Sequence, residues 1–196
     1  MMPGLDCHFI KRALEGSPDA CGDAGLILES SDELFWALID VLGHGRDAHA
    51  VAVRAEGYLV ENYRQSLAEV MKGLHEHLRG TRGAVAALGC LHKETGKMLF
   101  SGIGNIMTRL YGAKPHQFLS RDGIIGYVIP NPVEHEVELN SGDILVATSD
   151  GIREHFDMNF FPDLLKGSAR QIAAKIMDQL SKGDDDASCI VVRYRK

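Results

Sequence analysis

Four aspartates stand at turn-like places far apart in this chain: Asp23 in CysGlyAspAlaGly, Asp40 in IleAspValLeuGlyHisGly, Asp150 in ThrSerAspGlyIle and Asp185 in AspAspAspAlaSer. Small residues flank each of them, so backbone can approach a ligand, and carboxylate oxygens so placed suit a hard divalent cation. Asp40 and Asp150 follow apolar runs that read as β-strands, and Asp185 stands just before another. A carboxylate at the end of a buried strand is held rigidly, and the glycines after Asp40 let a carbonyl turn toward the same ion. One strand-end aspartate by itself usually caps a turn. Four of them, each among small neighbours, point instead to a shared metal centre. Asp186 carries the same chemistry as Asp185, and the sequence leaves the choice between the two open.

Only a fold can gather these residues, and the elements that would do so are legible. Residues 26–30 and 34–40 are apolar runs about a SerAspGlu turn, the pattern of a hairpin. From Asp47, the residues Ala48, Val51, Ala55, Tyr58 and Leu59 recur at helical spacing. Ser66 and Glu69 form a capping box opening a second helix, with Leu67, Val70, Met71, Leu74 and Leu78 inward and Gly80 as its stop. Short strand-like runs follow at 84–92, 98–101, 106–111, 117–119, 133–139 and 144–148, joined by turn signals rather than helices. Pro130 and Pro132 just before the 133–139 run mark it as an edge strand or a loop. A last helix opens at the Ser168/Gln171 box with an Ile172, Ile176, Leu180 stripe and stops by Gly183, and 189–194 reads as a buried strand. The expected fold class is α+β: an antiparallel β-sandwich flanked by helix layers, one domain over residues 1–196.

Composition narrows the function. A net charge of −6 argues against a nucleic-acid surface. No run approaches the roughly 18 apolar residues of a membrane span, and MetMetProGlyLeuAsp does not read as a signal peptide. Four cysteines without CxxC spacing read as free thiols, so the expected setting is the reducing cytoplasm. Cys21, near Asp23, reads as a packing residue rather than a nucleophile, since no His or Arg flanks it closely. His75 and His77, and His44 and His49, lack the spacing of a zinc site, so the histidines read as surface residues.

The motif AspValLeuGlyHisGly (40–45) before an Ala-rich helix resembles the signature of metal-dependent type 2C (PPM) protein phosphatases, in the form carried by their SpoIIE-type branch. ThrSerAspGlyIle and AspAspAlaSer-plus-strand resemble that family's two later motifs, in order, and PheSerGlyIleGlyAsn (100–105) resembles its central turn. The ordered set runs from about Gly22 to Tyr194. The resemblance implies two central antiparallel sheets between helices and a site for two Mn²⁺ or Mg²⁺ ions. By position, Asp40 would bridge the ions, Asp150 and Asp185 would complete one site, and Asp23 with the Val41 carbonyl would serve the other. Such a pair activates water for in-line attack on phosphorus without a covalent enzyme intermediate.

The implied substrate is a phosphoserine or phosphothreonine protein. The chain's small size resembles the stand-alone stressosome phosphatases of this branch, which makes stressosome proteins the expected partners. Eukaryotic members carry a histidine two residues after the bridging aspartate. Here that place holds Leu42, and His44 becomes the candidate general acid. The phosphate-gripping arginine of those members is replaced by no single residue; Lys11, Arg12 and Arg46 are the candidates. The short stretch between Asp122 and Glu134 implies an open, shallow site suited to a folded phosphoprotein. A catalytically silent binding module of the same fold would be free to lose Asp150 or Asp185, and a small-molecule phosphohydrolase would want a deep basic pocket.

Overall fold

The computed structural model describes residues 4–154 and 161–196, which leaves 1–3 and 155–160 outside the described part. Among the described residues, ten strands and three α-helices follow the order β1 (Gly4–Arg12), β2 (Asp23–Glu29), β3 (Glu33–Val41), α1 (Arg46–Asn62), α2 (Leu67–His77), β4 (Ala84–His92), β5 (Lys97–Ile103), β6 (Met107–Tyr111), β7 (His116–Phe118), β8 (His135–Glu138), β9 (Ile144–Thr148), α3 (Ala169–Leu180) and β10 (Ala187–Arg195). They form two antiparallel sheets, β1-β10-β9-β6-β7 and β2-β3-β4-β5-β8.

Three apolar layers follow from the alternation along the central strands. Trp36, Leu38, Phe100, Ile190 and Tyr194 fill the space between the sheets. Phe35, Ala37 and Ile39, one residue out of step with them on β3, face α1 and α2. Val146, Cys189 and Val191 face α3. The architecture is therefore helix, sheet, sheet, helix, the α+β sandwich expected from sequence. Both capping boxes form: Ser66 accepts from the Glu69 amide and Ser168 from the Gln171 amide, each with the reciprocal bond. β8 is an edge strand, as its prolines imply.

Two features depart from expectation. β1 lies outside the strands that the sequence pattern marks, although Leu5, Cys7 and Phe9 alternate toward the inter-sheet core. No turn signal precedes it, and its seventh residue, Ile10, packs on the opposite face with α3, which blurs the period. His75 is buried rather than a surface residue, and its Nδ1 accepts the Gly126 N–H at 3.1 Å. That bond fastens α2 to the 122–134 segment. No helix among the described residues is long and apolar enough to cross a membrane.

Candidate metal centre

The register of the central strands brings the aspartates together. β2 and β3 pair so that Asp23 lies directly opposite Asp40. β9 and β10 pair through Thr148 and Cys189, and the Ser149 amide donates to the Ser188 carbonyl at 3.1 Å. The chain thus leaves β9 at Asp150 and enters β10 from Asp185 at the same end of the second sheet. Asp40, Asp150 and Asp185 line one open cleft of about 470 Å³, with Gly43, Asn105 and Asp122 around them. Asp23 sits behind them and is only 1% exposed.

Close fitting fixes this arrangement. Ser149 Oγ donates to Asp23 Oδ2 at 2.6 Å while accepting from the Ser188 amide at 2.9 Å, so the serine of the ThrSerAspGly motif ties β2 to β10. Asn105 Nδ2 donates to Asp150 Oδ2 at 3.0 Å. A side chain at Gly151 would place its Cβ 2.0 Å from the Asp186 carbonyl, so only glycine lets the Asp150 turn sit against the start of β10. Asp186 is 3% exposed, and its two oxygens accept from the Leu14 and Gly22 amides at 2.7 and 2.6 Å. It is engaged in holding backbone, whereas Asp185 is exposed to the cleft.

The charges oppose one another. Burial pushes the Asp40 carboxyl well above the ordinary range, and Asp23, Asp150, Asp185 and Asp186 push it further. Burial likewise raises Asp23, against the lowering effect of its Ser149 bond, with Asp186 and Asp150 adding to the rise. A carboxylate cluster of this kind either retains protons or takes up a cation.

Asp23 Oδ1 is fully buried, and among the described residues it makes no hydrogen bond of ordinary geometry, the nearby Ser188 hydroxyl easing its charge without closing one. Beside it, a Cβ at Gly22 would lie tightly against Ala48 Cβ and Gly43 O at 3.0 Å and Val41 O at 3.3 Å, so two carbonyls converge next to this glycine. Orphaned carboxylate oxygen, converging carbonyls and four hard-oxygen side chains fit a divalent cation of the Mg²⁺ or Mn²⁺ type. Among the described residues, no group of three His, Cys, Asp or Glu side chains forms a ready ion cage.

The other sequence candidates lie off the cleft lining. His44 is half exposed, with Nδ1 3.1 Å from Glu15 Oε1. Lys11 Nζ donates to the Asp23 carbonyl at 2.9 Å, from behind the cluster. Arg12 pairs with Asp178 at 2.9 Å on the α3 side, and Arg46 is exposed at the first turn of α1. Cys21 is fully buried, and burial with the Asp23 charge pushes its thiol up to about 12. It is a packing residue.

Sequence reasoning passed over Asn105, Ser149 and Arg82. The first two stand inside motifs already recognised, where their bonds to Asp150 and Asp23 give the motif residues a physical reason. Arg82 donates to the His44 carbonyl at 3.4 Å and stands beside Gly43. Nothing in the run ThrArgGlyAla marks it; contact with the 43–44 loop comes only from the fold. Asn105→Ala should free the Asp150 carboxylate and weaken divalent-ion affinity by about tenfold, as loss of a ligand-orienting partner usually does. Manganese titration followed by the rise in melting temperature checks this.

Two facing antiparallel sheets between helix layers, with carboxylates collected at one end, define the fold of type 2C protein phosphatases. The chain belongs to the stage II sporulation protein E (SpoIIE) family, whose model matches residues 30–195. It is similar to a chain solved for the bacterial stressosome as a modular system adapted to control secondary messenger signalling, at 30% identity and TM-score 0.88, covering 97% of this chain and 100% of that one. RsbX in complex with magnesium superimposes with TM-score 0.84 at 19% identity, over 97% of this chain and 95% of that one. The PP2C phosphatase domain of SpoIIE from Bacillus subtilis does so with TM-score 0.84 at 18% identity, over 99% and 64% respectively. No curated protein matches the chain in sequence.

Proposed function

We propose that this chain is a Mn²⁺- or Mg²⁺-dependent serine/threonine protein phosphatase acting on a stressosome-type phosphoprotein. One observation carries the reading: Asp40, Asp150 and Asp185 line one cleft with the buried Asp23 paired directly opposite Asp40 behind it. Asp40 would lie between two ions, Asp150 and Asp185 on one side, Asp23 and the Val41 carbonyl on the other. The ions would supply Lewis-acid activation of a water and neutralise phosphate oxygens.

The protein's own part is to position. Asn105 and Ser149 fix Asp150 and Asp23, and Asp186 pins the Gly22 turn to β10. Arg82, beside Gly43 at the cleft edge, is the side chain best placed to steady a phosphate oxygen. Arg82→Ala should raise KM for an aryl phosphate about tenfold with a smaller change in kcat, the mark of lost binding rather than lost chemistry. His44 is turned to Glu15, and the open cleft admits solvent to protonate the leaving oxygen. None of the described side chains that line the cleft is cationic, which disfavours a small anionic metabolite as substrate.

The direct test is hydrolysis of p-nitrophenyl phosphate with Mn²⁺ or Mg²⁺. Turnover that EDTA abolishes and Mn²⁺ restores is the expected result. A protein whose melting temperature rises with Mn²⁺, yet which turns over nothing, would instead be the silent binding module.

A further inference from the structure

Beside the acidic cleft the surface turns apolar. Leu42 is 39% exposed, Tyr127 60% and Val128 76%. These three residues and Ile124 are contiguous. The Leu42 amide donates to the Gly83 carbonyl at 3.1 Å, and a Cβ at Gly83 would lie 2.7 Å from Ile124 Cγ2 and 2.9 Å from Tyr127 Cδ2. Asp122, Gly123 and Ile124 line both the cleft and the shallow hollow formed with Tyr127 and Val128. The apolar surface is thus the rim of the cleft itself.

This rim cannot fold away to hide its side chains. The Ile124 and Val128 backbones exchange bonds at 2.9 and 3.0 Å, and Ile125 and Ala84 do so at 2.8 and 3.1 Å. Ile125 is fully buried, and Gly126 is held by the His75 ring. A rigid loop that keeps an aromatic and a β-branched side chain in water loses little further entropy when it is covered. Such exposed apolar clusters beside a cleft are the usual anchors of a protein partner.

Charge decides what covers it. Four aspartates line the cleft and the chain carries −6, which two divalent cations would reduce to −2 without reversing, so long-range attraction offers a phosphorylated protein little. Affinity for such a partner must come from contact. We infer that Tyr127 and Val128, with Leu42 and Ile124, form the docking surface for the folded phosphoprotein, receiving an apolar patch that adjoins its phosphorylated side chain. The inference rests on the reading of the cleft as a phosphatase site.

The test compares wild type with Tyr127→Ser/Val128→Ser on two substrates: p-nitrophenyl phosphate and a stressosome protein phosphorylated on serine or threonine. The expected result is a fall in kcat/KM for the phosphoprotein of about tenfold or more, chiefly through KM, with the aryl phosphate changed by less than about twofold. Equal turnover of the phosphoprotein by both proteins would overturn the inference, as would a parallel fall on both substrates. An unchanged phosphoprotein rate with an altered oligomeric state would assign the surface to a second copy of the chain, and so overturn it as well. A wild type inactive on both substrates would refute the phosphatase reading alone. Docking would then be read from binding: the phosphoprotein retained by wild type and lost by the variant supports it, and equal retention overturns it.

Discussion

Asp40→Asn should abolish the proposed phosphatase turnover and, in the same protein, raise the melting temperature of the metal-free form. The first effect is a loss of about a thousandfold or more, because the residue interacts with every other carboxylate of the cluster and is the one proposed to serve both ions. The second follows from the electrostatics. In the folded state, burial and then Asp23, Asp150, Asp185 and Asp186 raise the Asp40 pKa above its unfolded value. Between those two values the folded state holds a proton that the unfolded state has lost. Stability therefore falls as pH rises through that interval, beginning near the ordinary carboxylate pKa of about 4. Metal-free wild type should melt lower at pH 8 than at pH 5.5, and the asparagine variant should show a shallower slope and a higher melting point at pH 8. The scale is about 2–4 °C for each kcal/mol in a chain of this size. Added Mn²⁺ should do the reverse in wild type, stabilising more as pH rises, because bound cation replaces protons. It should do little in the variant. Melts in EDTA and in Mn²⁺ at the two pH values check all four expectations. A variant that melts lower than wild type in EDTA at pH 8 would mean that Asp40 stabilises the fold rather than straining it.

The sequence carried the strands that end in aspartates because those strands are buried on both sides. Phe35, Trp36, Ala37, Leu38 and Ile39 form a continuous apolar run, half facing helices and half facing the other sheet. Such a run is hard to mistake, and it fixes where Asp40 must emerge. β1 is an edge strand with polar residues interleaved, and it escaped notice for that reason. Whatever depends on contact between distant segments was illegible too. His75 reads as one more polar residue on α2 until Gly126 is brought beside it. Arg82 reads as surface charge until the Gly43 loop lies against it. The apolar rim was hidden most fully, since Ile124 to Val128 looks like core in sequence and only Ile125 is core in fact.

The choice that the sequence left open, Asp185 or Asp186, has a double test. Asp186→Ala removes the acceptor of two backbone amides, Leu14 at 2.7 Å and Gly22 at 2.6 Å, in a place 3% exposed. Bonds to a charged acceptor contribute about 1.5–3 kcal/mol each, and the two N–H groups left behind are buried or partly so. The variant should lose roughly 3–5 kcal/mol, a drop of about 10 °C in melting temperature. Asp185→Asn is a different kind of change. Asp185 is exposed toward the cleft, and its Oδ1 accepts the Asp186 amide at 2.8 Å, a bond that an asparagine oxygen keeps. Its stability should stay within about 0.5 kcal/mol of wild type. Turnover and Mn²⁺ response should fall by about a hundredfold or more, because one hard anionic ligand is gone. The two residues thus separate by which quantity moves: Asp186 holds the Gly22 turn, and with it Asp23, in place, while Asp185 would meet the ion. An Asp185→Asn protein with full turnover, beside an Asp186→Asn protein that folds normally and is inactive, would exchange the two roles.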